Sequence, residues 1–236
     1  MKMSLNPYYR RLADVTRHLL VVVAFLLLAM GSANSALAQS YRTSELDVQY
    51  HRAKVALTSG NSLFEAKARI DRVLKALPDD IEALKLRTEI LMGLGRKEEA
   101  IDDALVAVRI DPSDGEAQLL LCETALLNGN KELAKTALLS ASDRTIDEIH
   151  MLVRLSSCAQ AIGEISRAEA LARIAVVQHA TDPRGHIQLA RIFARSQRIP
   201  AAISVLDKMV ERAIVTENSI QKDPEFSVFY RAKRNR

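Results

Sequence analysis

The chain has 236 residues, 48% of them apolar and 26% charged, which excludes a wholly disordered polypeptide and a multi-span membrane protein. Eight glycines, six prolines, 4% aromatic residues and no tryptophan disfavour sandwiches and barrels, which need many turns and β-forming aromatics, while 33 alanines favour close-packed helices. Lys and Arg number 33 against 29 Asp and Glu, but residues 1–38 hold four of the basic residues and one acidic residue, leaving 29 against 28 for the remainder, a net +1. The basic balance therefore gives no argument for nucleic-acid binding.

Residues 1–38 read as a secretory signal peptide. Lys2, Arg10, Arg11 and Arg17 form a basic lead, Leu19 to Met30 an apolar core, and Ala36-Leu37-Ala38 an A-x-A cleavage pattern. Twelve apolar residues are short against the roughly 20 that span a bilayer, so cleavage is expected over an uncleaved anchor. This places the protein outside the cytoplasm, in the periplasm of a Gram-negative cell, with an inner-membrane anchor or secretion as the alternatives. Membrane contact would then come only through an uncleaved signal segment or a partner.

Beyond a short lead at 39–46, the chain repeats. Ala66, Ala100, Ala134, Ala168 and Ala202 are 34 residues apart every time, Gly95, Gly129 and Gly163 keep the same period, and so do Pro78 and Pro112. In the stretch from Ile81, apolar residues at Ala83, Leu84, Ile90, Leu91 and Leu94 make a helical stripe. Gly95 allows the left-handed closure of that helix, a second helix starts around Arg96, and Asp111-Pro112 stops it. The alanine marks a close helix–helix approach, where a large side chain would cost about 1–3 kcal/mol by overpacking.

This pattern resembles the tetratricopeptide repeat, a helix–turn–helix unit, with repeats starting at Asp47, Ile81, Gly115, Ile149 and Pro183. The twentieth place of the motif is the alanine series; Ile70, Ala104, Leu138, Ala172 and Leu206 fill the twenty-fourth. The sequence departs from the motif at the fourth place, where its tryptophan is replaced by Tyr50, Leu84, Gln118, Leu152 and His186, and at the small eighth place, held by Lys54, Thr88, Cys122, Ser156 and Ala190. The resemblance implies an all-α fold, a right-handed α-solenoid of about five repeats over 47–216 closed by a C-terminal capping helix and a basic tail over 217–236. In the latter, Asp223-Pro224-Glu225 reads as a helix start, Phe226, Phe229 and Tyr230 share one face, and Arg231, Lys233, Arg234 and Arg236 form the tail. An aromatic binding motif is the other reading of that face.

Motifs of enzymatic chemistry are missing: there is no phosphate-binding glycine loop, H-E-x-x-H, C-x-x-C or G-x-S-x-G. His51, His150, His179 and His186 have no partner spacing that would build a metal site, so no cofactor, metal or catalytic residue is expected. Cys122 and Cys158 lie 36 apart; the offset of two from the repeat period is expected to turn them to different faces, as free thiols, buried or half-buried.

In the family, the second, fifth, ninth, twelfth and thirteenth places of the first helix line a concave groove. Carried over, these are Glu82, Lys85, Glu89 and Met92 in the second repeat, and Glu116, Leu119, Glu123, Leu126 and Leu127 in the third. The fourth supplies His150, Val153, Ser157 and Gln160, and the fifth Arg184, Ile187, Arg191 and Arg195. The groove is expected to run from acidic through apolar to arginine-rich. The Lys and Asn with which chaperone-binding members capture a terminal carboxylate are absent: the ninth places are Val55, Glu89, Glu123, Ser157 and Arg191. The implied role is an exported scaffold that holds a peptide segment or an envelope protein, with no nucleic-acid partner. The alternative is a structural spacer, or a component of an envelope polysaccharide or secretion machine, without a peptide ligand of its own. N-terminal sequencing of protein from the producing cell should find Gln39 as the first residue; a chain that still begins at Met1 would refute cleavage.

Overall fold

The computed structural model describes residues 44–59, 62–142, 147–228 and 230. The signal segment, Phe229 and the basic tail lie outside the described residues. Among those residues there is no strand, and no helix is long and apolar enough to cross a membrane. The chain divides into two compact units between Ala117 and Gln118.

The first unit holds α1 (Ser44–Ser59), α2 (Leu63–Ala76), α3 (Ile81–Gly93), α4 (Lys97–Ile110) and the start of α5 (Gly115–Leu127). Helix α1 begins three residues before Asp47, so the lead is shorter than expected; Glu45 and Asp47 put negative charge in its first turn, where the helix dipole favours it. Polar residues start the following helices. Ser62 Oγ accepts from Glu65 N at 3.2 Å, Asp80 Oδ1 from Ala83 N at 3.0 Å, and Asp114 Oδ1 from Glu116 N and Ala117 N at 2.9 and 3.1 Å. The core of this unit gathers Tyr50, Ala53, Ala66, Ile70, Val73, Leu84 and Ile90 between α1, α2 and α3.

The second unit continues α5 and adds α6 (Lys131–Ser142), α7 (Ile149–Ile162), α8 (Ile165–Gln178), α9 (Pro183–Arg195), α10 (Ile199–Glu211) and the short α11 (Glu217–Lys222). Helices α7 and α8 pack as a hairpin, as do α9 and α10, and α9 also lies against both α7 and α8. At the C-terminal end, Phe226 and Tyr230 join Ala190, Leu206, Met209 and Ile220 in one cluster. Phe226 is 1% exposed, and burying such a ring contributes about 1.5–3 kcal/mol. Phe226 and Tyr230 thus cap the α9–α10 pair and are not exposed.

The five periodic alanines are each 0% exposed. Lys54 is exposed, but three polar residues at the departing places are buried with internal partners. Ser156 Oγ donates to Ala168 O at 2.8 Å and Thr88 Oγ1 to Leu84 O at 2.9 Å, while His186 Nδ1 lies 3.2 Å from Asp182 O. These bonds replace water for groups that would otherwise be costly to bury.

Among the described residues, the turns after α3, α5, α7 and α9 close in one way. Gly129, at φ +74°, donates to Leu126 O, and Asn130 N reaches back to Ala125 O at 2.8 Å, the bonds of a left-handed helix cap. The same pair of bonds recurs one period after Gly163 at a residue that is not glycine: Gln197 has φ +60°, with Gln197 N to Ala194 O at 3.1 Å and Arg198 N to Phe193 O at 2.8 Å. A side chain in that conformation costs on the order of 1 kcal/mol. Gln197→Gly should therefore stabilise the chain by about 1 kcal/mol, and Gly129→Ala should destabilise it by about the same. Urea midpoints read both changes, and equal midpoints for the two variants would contradict this assignment of strain.

Candidate functional site

The residues expected along one groove are distributed over both units. In the first, Lys85 is 7% exposed on α3 and sits among three carboxylates, Glu82 at 2.6 Å, Asp114 at 3.0 Å and Glu116 at 2.8 Å. Burial by itself would lower the lysine pKa; the bonds to Glu116 and Glu82 and the charge of Asp114 outweigh it and hold the ammonium well above its ordinary value. Glu82 and Glu116 are therefore not free carboxylates, because both bond a buried cation; with Asp114, three carboxylates share one ammonium and the cluster stays acidic. Glu89 stands half-buried on α3. Beside this cluster Arg87 joins three helices, with a two-pronged pair to Asp103 on α4 at 2.6 and 2.7 Å and a third bond to Asp71 on α2 at 3.1 Å.

In the second unit, Leu119 corrects a second expectation: it is 0% exposed and lines no open surface. From Gln118 to Cys122 every residue is buried, and a helix apolar all round is an interior one. Leu126 is half-buried, and Leu127 alone of the three leucines is exposed. Glu123 receives a two-pronged bond from Arg154 of α7 at 2.8 and 2.5 Å. Its charge, too, is already matched. Cys122 and Cys158 are free and buried. They do not point apart as the offset implied: the Cys122 side chain hydrogen-bonds Cys158, and with burial it pushes the Cys158 thiol up. First helices of successive pairs lie side by side, which brings the eighth place of one to the tenth of the next.

The remaining residues do converge. Ser157, Gln160 and Ala161 from α7, Ile165 from α8, Arg191, Arg195 and Ser196 from the end of α9, and Glu225 surround a cavity of about 450 Å³. Ser157 is exposed and its hydroxyl donates to Val153 O at 2.9 Å, tying it to its neighbour on the same helix. Arg191 Nε reaches Glu225 Oε2 at 2.6 Å, and Arg195 Nε reaches Oε1 at 3.0 Å. Gln160 Nε2 and Ser196 Oγ are buried and lack a hydrogen-bond partner. Arg184 stays outside this set, folded back on its own helix cap at Asp182. Ile187 faces the C-terminal cluster, with Leu206, Met209 and Phe226.

Residues 50–115 match the family model described as Tetratricopeptide repeat. That stretch carries the tetratricopeptide repeat, and the described residues share the fold of solved tetratricopeptide-repeat proteins. Its fold class is all-α, the helix–turn–helix class to which tetratricopeptide solenoids belong. It is similar to TTC0263, a thermophilic tetratricopeptide-repeat protein of Thermus thermophilus, at 20% identity over 81% of this chain and 100% of that one, with a TM-score of 0.62. PilW, a widely conserved type IV pilus biogenesis factor, matches at 15% identity over 82% and 100%, with a TM-score of 0.64. YrrB, a tetratricopeptide-repeat protein with an unusual peptide-binding site, matches at 18% over 79% and 90%, with a TM-score of 0.53. No curated protein matches the sequence.

In the tetratricopeptide register Glu225 has a defined place that the sequence reading missed. It lies 34 residues after Arg191, and α11 begins at Glu217, 34 after Pro183. The C-terminal segment thus follows the first-helix register for one more period, and Glu225 falls at its ninth place. The period itself was the available signal. Asp223 caps the segment through Oδ1, which accepts from Glu225 N at 2.8 Å, and Tyr230 closes it with a hydroxyl donated to Asp207 Oδ1 at 3.1 Å.

Burial, followed by the bond to Asp207, pushes the Tyr230 phenol up to about 12 from its ordinary value of 10.0. The folded state holds that proton more tightly than the unfolded chain does. Its contribution is complete below pH about 10 and is lost as pH rises towards about 12. In Tyr230→Phe this part of the alkaline loss of helicity should disappear, leaving the part due to Lys85, whose raised pKa acts in the same sense. Circular dichroism against pH measures both, and identical profiles for parent and variant would contradict the assignment.

Proposed function

We propose that the protein is an exported interaction scaffold that holds a peptide segment of an envelope protein, using the cavity between α7 and α9. The carrying observation is the cavity itself. It draws together the groove places Ser157, Gln160, Arg191 and Arg195, with two buried polar atoms lacking partners and two guanidiniums at its wall. Buried polar groups are ordinarily satisfied, so these two donors, on residues that line the cavity but sealed from water as they stand, suit a ligand's polar groups once their side chains turn, with Ala161 and Ile165 offering apolar contact. The tetratricopeptide fold supports a protein or peptide partner, and the peptide-binding site named for YrrB lies on a similar fold. Export rests on the order of basic, apolar and small residues over 1–38.

Peptides selected from a random displayed library on the purified chain test this reading. Ser157→Trp fills the cavity at an exposed position, where the change should leave stability within about 0.5 kcal/mol. It should weaken the selected peptides by more than tenfold, whereas Glu211→Trp, at an exposed position at the end of α10, should leave them unchanged. If Ser157→Trp binds like the parent, the cavity is not the site, and the spacer reading gains.

A further inference from the structure

One carboxylate already sits at this cavity. Glu225 presents one oxygen to Arg191 and the other to Arg195, so a single anionic group is shared by guanidiniums on successive turns of α9. Arg191 also donates from Nη1 to Gln188 Oε1 at 3.2 Å, which orients its planar fork towards the carboxylate. Glu225 lies on the C-terminal segment, after the break at Asp223-Pro224, and is itself only partly buried. The segment is anchored on both sides of Glu225 by other contacts, Ile220 on one and Phe226 and Tyr230 on the other. Its carboxylate can therefore exchange without the cap losing its apolar hold.

The cavity wall is incompletely satisfied by Glu225. Gln160 Nε2 and Ser196 Oγ are left without partners, and both groups can donate to a carboxylate oxygen. An incoming carboxylate that bridged the arginines would make every bond that Glu225 makes, and a rotation of the Gln160 amide or the Ser196 hydroxyl, both on residues that line the cavity, would add a donor.

We propose that Glu225 is an intramolecular latch on a carboxylate-binding subsite, displaced by an acidic side chain or a terminal carboxylate of a partner peptide. This rests on the reading of the cavity as a peptide site and assigns the ligand chemistry there. The arginines select negative charge, and the resident carboxylate sets a threshold, because a ligand must outcompete a group tethered beside the site. A neutral segment gains nothing from displacing Glu225, since it would strand two guanidiniums.

Three synthetic pentapeptides in the full chain test this. The first is acetyl-Leu-Ala-Glu-Ala-Leu-amide, the second carries glutamine in place of glutamate, and the third has alanine at the centre and a free C-terminal carboxylate. By titration calorimetry, Glu225→Gln should bind the glutamate peptide or the free-carboxylate peptide at least tenfold more tightly than the parent does. Which of the two gains identifies the source of the carboxylate. The glutamine peptide should show no gain, and adding Arg191→Gln should abolish the gain of the others, which should also shrink as salt rises. If Glu225→Gln keeps the parent's helicity and neither carboxylate peptide binds more tightly, the latch is overturned. Should that variant lose helicity, the parent decides: saturating glutamate peptide must shift the Nε–H resonances of Arg191 and Arg195, and unmoved resonances overturn the proposal. Library peptides that need an open Ser157 but carry no carboxylate in contact with the arginines would sink the latch while leaving the cavity reading intact.

Discussion

The structure depends first on the close approach of two helices at a residue that contributes only a methyl group. At Ala66, Ala100, Ala134, Ala168 and Ala202 no surface is left for solvent. A larger side chain there would have to displace a neighbouring backbone, which is costly because interiors are packed near crystal density. The contact at Ala168 is tight enough for Ser156 on α7 to bond its carbonyl. Once this approach is fixed, the places one and two turns further along the second helix face the same interior. Ile70, Ala104, Leu138, Ala172 and Leu206 are accordingly at most 1% exposed.

Charge then links successive helix pairs, and it does so where the apolar pattern cannot. Lys85 of α3 draws Asp114 and Glu116 from the next pair, Arg154 of α7 holds Glu123 of α5, and Arg198 ties the α9–α10 turn to Glu169 on α8 at 2.6 Å. Burial alone would raise the Glu169 carboxyl; the bonds from Arg173 and Arg198 outweigh it and hold it below its ordinary range. Arg198 also lies over the Phe193 ring at 4.4 Å, a cation–π contact that steadies the strained turn at Gln197. Partly buried pairs of this kind specify which surfaces meet more than they add stability, since desolvation offsets much of their attraction.

The helix plan was legible in the sequence because periodic alanines, turn glycines and polar caps are local signals. Helices begin at Ile81, Gly115, Ile149 and Pro183, where the 34-residue register puts them. The site was legible only in part. Ser157, Arg191 and Arg195, which the register sets along one line, do border one cavity, since neighbouring first helices lie side by side. The register did not show ion pairing, whether within one period or between two. Glu82, Glu116 and Glu123 read as free acids until Lys85 and Arg154 are seen beside them. Leu119 failed for a different reason: α5 is buried without a break from Gln118 to Cys122, so a place that would be open on an amphipathic helix is interior here.

The C-terminal segment shows how the end of a repeat array can acquire chemistry. A last helix pair leaves an apolar face that the next pair would have covered, and a repeat protein needs a polar-backed element there to stay soluble. This chain covers Leu206 and Met209 with Ile220, Phe226 and Tyr230 from a shortened first helix that breaks at Asp223-Pro224. Because the segment keeps the repeat register across that break, its ninth place falls beside the ninth place of the preceding helix, and Glu225 meets Arg191. A continuous helix carrying a full second partner would have buried that pair between two repeats, as Arg87 and Asp103 are held within the array. In the broken segment the pair stays at the wall of an open cavity, where water competes with the carboxylate for the same guanidiniums.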